Sequence, residues 1–271
     1  MAGNSLLNSA SSSFTVALAP GTANLPTGAT VTINPQKLFS NGQISTTVTV
    51  SGININGTPV PNGTLIAVTA DPVFGDSIGG VISGNNAGTS ADPRFLLFST
   101  FGAAVTFSYT PPDVTNLPPW YSVNGMIQAT SIDLDNRPVS MIGSNTATLF
   151  GIQTAAILSS PDTLTANGTS TSTLTVTVKD VLGNLVPDGT RVGLTVSNVF
   201  VANSAGGSIV GGTTSSSDSR VQIFTTSAGQ VTATYQSPAT PGTGFAMIQA
   251  VTVDAPGNPT GLAGSGQVRL Q

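Results

Sequence analysis

The sequence predicts an all-β protein made of two similar β-sandwich domains in tandem, and three features of the chain predict it. Hydrophobic residues recur at every second position, as in Leu174-Thr175-Val176-Thr177-Val178, and this is the period of a half-buried strand. Gly, Pro, Asn and Asp interrupt such runs at short intervals, as turns between strands require. Several motifs occur twice at a constant spacing, which indicates two copies of one folding unit.

The repeated motifs keep a single offset through most of each copy. Asn41-Gly42 recurs as Asn167-Gly168, at an offset of 167 − 41 = 126 residues. Val60-Pro61-Asn62-Gly63-Thr64 recurs as Val186-Pro187-Asp188-Gly189-Thr190 at the same offset. Asn-Gly and Asp-Gly pairs favour tight turns between strands, so corresponding turns are expected in both copies.

The offset changes near the end of each copy. Met126-Ile127-Gln128-Ala129 recurs as Met247-Ile248-Gln249-Ala250, at an offset of 247 − 126 = 121 residues. The first copy therefore contains an insertion, which we place at Thr110–Tyr121. This stretch holds the only tryptophan of the chain, Trp120, next to Tyr121.

These limits divide the chain into three parts. We expect an N-terminal extension at residues 1–26, one domain at 27–150 and a second at 151–271, with a short linker at 151–154. Seven strands are expected in the second domain, the number found in a constant-type immunoglobulin domain, near residues 156–159, 172–179, 191–197, 220–226, 230–235, 245–253 and 267–270. The predicted fold is thus two immunoglobulin-like sandwiches preceded by an extended strand segment.

Composition narrows the possible functions. Only 7% of the 271 residues are charged, the net charge is −4, and the chain has no His, Cys or Glu. The seven basic residues are scattered, which disfavours binding to nucleic acid. Histidine and cysteine, the usual general base and thiol nucleophile, are missing. We therefore expect no enzyme activity, no metal or other cofactor, and, because no apolar stretch is long enough, no membrane span.

The second domain resembles a known family. Residues 174–192 run Leu-Thr-Val-Thr-Val-Lys-Asp-Val-Leu-Gly-Asn-Leu-Val-Pro-Asp-Gly-Thr-Arg-Val, and residues 228–235 run Ala-Gly-Gln-Val-Thr-Ala-Thr-Tyr. Both stretches resemble the bacterial Ig-like group 1 domains of invasin and intimin. The first domain departs from this pattern at Ser51–Gly57. The resemblance implies a spacer or adhesive module on a bacterial surface, with no catalytic residues.

The N-terminal extension contains one strand-like segment. Phe14, Val16 and Leu18 alternate with small residues, and Pro20-Gly21 ends the run. The segment is interpreted either as an extra edge strand of its own domain or as a strand added to the sheet of a neighbouring copy, which would link copies head to tail.

Three further sites have competing interpretations. Trp120 and Tyr121 form a contact loop for a partner subunit or a sugar, or else the loop packs against the other domain or covers the end of the sandwich. Asp133, Asp135 and Asn136 are oxygen ligands in a pattern that Ca²⁺ accepts, although a solvated turn is favoured because an EF-hand needs a distal Glu. Asp92 with Arg94, and Asp218 with Arg220, are expected to pair on a strand in a structural role.

Taken together, the sequence predicts a non-enzymatic extracellular protein of a cell surface. Its partners would be copies of itself or other surface proteins, and it would serve as a filament subunit or a stalk segment of an adhesin. One alternative is a module that binds a glycan or a host receptor. Another is a phage decoration or tail protein, because Met1–Ser13 does not resemble a signal peptide.

Overall fold

The computed structural model describes residues 25–71, 78–196, 205–240 and 242–271. Within these ranges the chain forms β-strands and no helix. The strands are β1 (Gly28–Asn34), β2 (Lys37–Phe39), β3 (Thr46–Ile55), β4 (Thr58–Pro59), β5 (Leu65–Thr69), β6 (Val81–Ser83), β7 (Gly88–Thr89), β8 (Leu96–Ser99), β9 (Val105–Thr110), β10 (Ser122–Ile132), β11 (Pro138–Phe150), β12 (Ile152–Ser160), β13 (Thr163–Leu164), β14 (Thr171–Asp180), β15 (Arg191–Thr195), β16 (Ser208–Val210), β17 (Thr213–Thr214), β18 (Gln222–Thr225), β19 (Gln230–Gln236), β20 (Gly244–Val253) and β21 (Pro259–Leu270).

The strands form four sheets, two from each half of the chain. In the first half, sheet β1-β3-β9-β6, with β4 added to β3, faces sheet β2-β11-β10-β5-β8-β7. In the second half, β12-β14-β19-β16 faces β13-β21-β20-β15-β18-β17. We call these pairs the first and second sandwich. The predicted fold class, two tandem immunoglobulin-like β-sandwiches, is confirmed.

Pairing between the named strands is antiparallel with two exceptions. Strand β2 runs parallel to β11, with Leu38 opposite Leu149, and β13 runs parallel to β21, with Leu164 opposite Leu270. Each sandwich therefore begins with a strand in one sheet, β1 or β12, and the chain then crosses to the edge of the other sheet as β2 or β13. The last strand of each sandwich is thereby held against its beginning.

Two expectations about the second sandwich need correction. Besides the seven expected strands it has three short ones, β13, β16 and β17, whose two or three residues are too few to show alternation. The expected linker at 151–154 is also wrong, because β12 begins at Ile152 and only Gly151 lies between β11 and β12. Ile152 is 2% exposed, so it is part of a packed strand and not of a flexible connection.

Each sandwich encloses its own apolar core. In β14 the alternating side chains of Leu174, Val176 and Val178 are fully buried. Burying one such side chain stabilises the fold by about 1.5–3 kcal/mol. The corresponding core of the first sandwich includes Val48, Val50, Ile66, Ile127 and Leu149.

Corresponding tyrosines lie in the two cores. The Tyr109 hydroxyl donates a hydrogen bond to the carbonyl oxygen of Gly79 (3.1 Å), and the Tyr235 hydroxyl donates one to that of Gly206 (2.9 Å). Burial raises the pKa of each phenol to about 12, because a charged phenolate is poorly solvated in the core. The repeat is thus preserved down to single hydrogen bonds.

Candidate functional site

The insertion of the first sandwich, Thr110–Tyr121, is fixed to its own domain at its middle. Val114 is 5% exposed, and its N–H donates to the carbonyl oxygen of Ser40 (2.9 Å). Asp113 Oδ1 accepts bonds from the N–H and the hydroxyl of Thr115, at 2.8 and 2.6 Å. Such local side-chain bonds specify a turn, so the insertion has a defined path.

The end of the insertion packs against the second sandwich. A Cβ added to Gly261 would lie 2.5 Å from Cδ of Pro119 and 2.9 Å from Cα of Pro118. Only glycine allows the two prolines to approach β21 this closely. The main-chain N–H of Trp120 donates a hydrogen bond to Oε1 of Gln153 on β12, at 3.0 Å. Of the two interpretations offered for this loop, packing against the other domain is therefore what its backbone does.

The two aromatic side chains at the end of the loop remain open to solvent. Trp120 is 68% exposed and Tyr121 is 57% exposed. Trp120 has a φ of 72°, in the left-handed region that bulky residues rarely adopt. Backbone strain of this kind occurs often at functional sites. The aromatic pair is thus held outward, and its role in binding a partner stays a prediction.

Apolar contacts seal the junction beneath this loop. The rings of Phe39 and Phe150 meet edge to face with centroids 6.5 Å apart. Both residues belong to the same buried cluster as Ile152 and the core of the second sandwich. A Cβ on Gly151 would lie 2.8 Å from both Cα of Thr115 and the carbonyl oxygen of Val114. The single connecting residue is therefore enclosed, which restricts bending between the sandwiches.

The other predicted binding residues, Phe14, Val16 and Leu18, lie outside the described residues. Their assignment to a strand that adds to a sheet stays a prediction.

The predicted Asp–Arg pairs exist, but they lie in turns and not on strands. Arg94 Nη2 lies 2.6 Å from Asp92 Oδ2, and Arg220 Nη2 lies 2.6 Å from Asp218 Oδ2. In both cases the Arg main-chain N–H also donates to the Asp two residues earlier, closing a turn before β8 or β18. The side-chain hydrogen bond from the arginine is the main cause that lowers the pKa of each aspartate. These pairs brace turns, as their structural interpretation required.

The acidic cluster near Asp133 is a hairpin turn. Asp133 Oδ1 accepts hydrogen bonds from the N–H groups of Asp135 (2.9 Å) and Arg137 (2.8 Å). Asn136 adopts a φ of 58°, which suits asparagine in a tight turn. Nowhere in the described ranges do three or more His, Cys, Asp or Glu side chains cluster as metal ligands would. The favoured interpretation, a solvated turn, is what the geometry supports.

The described strands also leave apolar side chains exposed that sequence reasoning did not single out. On β11, Val139 is 47% exposed and Met141 is 54% exposed. Both lie next to shifts in the β10–β11 register, at Ser131/Ile132 and Ala129/Thr130. A β-bulge breaks the alternation of faces along a strand, so no simple pattern could have marked these two residues.

Comparison with solved structures gives alignments at low sequence identity and with TM-scores below 0.5. The chain aligns with the Yersinia pseudotuberculosis adhesin InvE at a TM-score of 0.41 and 14% identity, covering 93% of this chain and 61% of that one. It aligns with invasin, a bacterial integrin-binding protein, at 0.41 and 12% identity, covering 89% and 39%. It aligns with the Escherichia coli adhesin FdeC at 0.31 and 15% identity, covering 91% and 65%.

The chain thus spans less than two thirds of the length of each of these adhesins. No protein-family model and no curated protein sequence matches it. None of its described residues forms a helix long and apolar enough to cross a membrane.

Proposed function

We propose that the protein is a non-enzymatic structural component of an extracellular surface, acting as a stiff module in an adhesin stalk or in a filament. The enclosed junction carries this proposal. Domains joined by flexible linkers move independently unless their interface is well packed. Here Gly151 alone connects β11 to β12, and Pro118, Pro119 and Phe150 pack around the junction. A module that holds its partners at a distance needs such stiffness.

The chemistry of the surface supports the same function. With 7% charged residues, the chain builds its polar surface chiefly from Ser, Thr, Asn, Gln and Gly. Such a surface repels other macromolecules only weakly, which suits dense packing in a layer or a bundle. The missing His, Cys and Glu leave few groups for acid–base or nucleophilic chemistry.

Two measurements test this proposal. Immunogold labelling of intact cells of the source organism should place the protein at the surface, and label confined to the cytoplasm would contradict it. Electron microscopy of the purified chain should show rods of constant inter-domain angle. A wide spread of angles would show that the junction bends and would remove the basis of the proposal.

The same microscopy separates a stalk from a filament. A filament subunit polymerises, and deletion of Ser13–Ala19 should leave monomers. A stalk segment is monomeric both with and without this segment. Replacing Phe14, Val16 and Leu18 by Ser is a milder variant that preserves the length of the chain.

A second candidate function is binding of a glycan or a receptor by Trp120 and Tyr121. Two observations favour it: both rings are more than half exposed, and Trp120 is held in a strained backbone conformation. Trp120→Ala should abolish binding on a glycan array or to a receptor. Phe101→Ala is the matched control, because Phe101 is 81% exposed in the turn between β8 and β9. An array on which the unmodified protein binds nothing would count against a glycan.

A further inference from the structure

One stretch of β11 is exposed although its counterpart in the second sandwich is covered. Met141 pairs with Thr130, and Leu262 pairs with Val251, so Val139–Met141 corresponds to Thr260–Leu262 at the offset of 121 residues. Val139, Ser140 and Met141 are all exposed, whereas Gly261 is buried and its two neighbours are half-buried. We call Val139–Met141 the β11 patch.

The insertion of the first sandwich explains why the counterpart is covered. Pro118 and Pro119 lie against Gly261, and the next residue, Trp120, is hydrogen-bonded to Gln153. A segment ahead of the second sandwich thus packs on its last strand. The corresponding surface of the first sandwich carries Ser140 in place of Gly261, and residues 1–26 stand ahead of that sandwich in the given sequence.

The N-terminal extension joins the first sandwich beside this patch. Gln153 and Gly261 are contacted by adjacent residues of one loop, so they are neighbours, and Ser140 is the counterpart of Gly261. Strand β1 lies beside β11 near this position, because a Cβ on Gly143 of β11 would lie 2.6 Å from the carbonyl oxygen of Ala29 of β1. The chain upstream of Leu25 therefore starts next to the β11 patch.

The edge of β11 also offers main-chain partners. Strand β10 pairs with β11 along its whole length, but β2 pairs with the other edge only at Thr148–Phe150. Next to this pairing, Asn145 Nδ2 donates to the carbonyl oxygen of Val31 and Gln36 Nε2 donates to that of Thr146, so β1 and Gln36 cover the edge there. Among the described strands, the part of that edge without a paired neighbour is Pro138–Ile142. Open strand edges readily accept an added strand, whose side chains then determine specificity.

We propose that Ser13–Ala19 of the same chain docks on the β11 patch as an added edge strand, with Phe14, Val16 and Leu18 facing Val139 and Met141. The six steps from Ala19 to Leu25 can span about 20 Å, which is enough for the chain to turn back at Pro20-Gly21. A groove of about 230 Å³ beside the patch has room for one side chain. Phe95, Val139 and Met141 line it together with the polar residues Asp92, Arg94 and Gln128. The tether keeps the segment at a high local concentration, which favours its own chain over a second copy.

Disulfide trapping tests this docking directly, because the chain has no cysteine. The double variant V16C/V139C should form a disulfide within the monomer, at a rate that dilution does not change. The control V16C/T260C places the second cysteine at the same register position of the second sandwich and should react at least about tenfold more slowly. Equal rates for the two variants would overturn the proposal.

The same experiment identifies the source of the segment. Disulfide-linked dimers of V16C/V139C would show that the patch takes the segment of a second copy, which contradicts docking within one chain. Such dimers would leave the proposed surface function intact, and indeed would support its filament form. Conversely, a protein found in the cytoplasm would refute the surface function without affecting this contact.

Proteolysis gives an independent measurement. In the unmodified protein, docking should protect the peptide bond after Phe14 from chymotrypsin, as followed by mass spectrometry. M141D places a charge in the apolar contact and should speed this cleavage by about tenfold. S144D is the matched control, because Ser144 is an exposed residue of the same strand. Cleavage at equal rates in the unmodified protein and in M141D would overturn the proposal.

Discussion

The main-chain N–H of Trp120 donates a hydrogen bond to Oε1 of Gln153, 3.0 Å away, and joins the loop of one sandwich to the first strand of the next. Pro118 and Pro119 also contact Gly261 of β21. The loop of the first sandwich is thus attached to two strands of the second, β12 and β21. The junction therefore depends on a small number of contacts that can be removed one at a time.

Replacing Gln153 by Ala should loosen the loop without unfolding either sandwich. A hydrogen bond of this kind contributes about 1 kcal/mol, and less where water can replace the lost partner. Small-angle scattering should show a wider distribution of inter-domain angles, while the circular-dichroism spectrum stays unchanged. Gln267→Ala, at an exposed position of β21, is the control and should change neither measurement.

Replacing Gly261 by Ala should have a larger effect on the same contact. The new Cβ would lie 2.5 Å from Cδ of Pro119, so the loop or β21 must shift. Overpacking of this kind costs about 1–3 kcal/mol. Trp120 is the only tryptophan, so its fluorescence reports the displacement directly. Gly242→Ala is the control, because no heavy atom lies within 4 Å of its added Cβ; an unchanged emission spectrum in Gly261→Ala would contradict the packed loop.

The buried tyrosines should make the protein sensitive to high pH. Burial raises the pKa of Tyr109 and Tyr235 from 10.0 to about 12. The unfolded chain loses these phenolic protons first, so their stabilising contribution is complete below pH 10 and is lost as the pH rises towards about 12. Urea unfolding at several alkaline pH values should show this decline.

Replacing both Tyr109 and Tyr235 by Phe tests the assignment of this decline. The variant loses two hydrogen bonds to glycine carbonyls, so its free energy of unfolding at neutral pH should fall by about 1 kcal/mol for each bond. Its stability should then vary less between pH 10 and 12 than that of the unmodified protein. An equally steep decline in the variant would show that other groups are responsible.

The core of the second sandwich should respond strongly to a cavity. Leu174 is completely buried, and Leu174→Ala should lower the free energy of unfolding by about 2–5 kcal/mol. Leu158 lies on the neighbouring strand β12 but is 70% exposed, so Leu158→Ala should have little effect. Thermal unfolding of both variants checks the difference, and equal losses would mean that the alternation of β14 is misassigned.

The sequence predicts the fold because its local patterns and its long-range order agree. In β14 the period of two places Leu174, Val176 and Val178 on one face, and that face is the buried one. The motif that begins at Val60 recurs at Val186, and both copies form turns in which a threonine hydroxyl donates 2.8 Å to a proline carbonyl oxygen, Thr64 to Pro61 and Thr190 to Pro187.

The candidate sites were less predictable, because they depend on contacts between distant segments. Trp120 and Tyr121 could be singled out by composition, but the approach of Pro119 to Gly261 across the junction has no local sequence pattern. The exposure of Met141 depends on a bulge, which cannot be read from strand alternation. Gln153 was assigned to a linker because Gly151 separates it from the preceding apolar residues, although β12 already begins at Ile152.

The parallel pairing of β2 with β11, and of β13 with β21, determines how each sandwich would carry a pulling force. Tension along the chain enters a sandwich at its first strands and leaves through its last strand. Because the paired strands run in the same direction, the force slides one strand along the other. In the first sandwich the force then acts on all the hydrogen bonds at Lys37–Phe39 at once, and in the second sandwich on all those at Thr163–Leu164. Within each pairing the bonds must break together, instead of one after another. Each sandwich is therefore built to resist extension between its two ends.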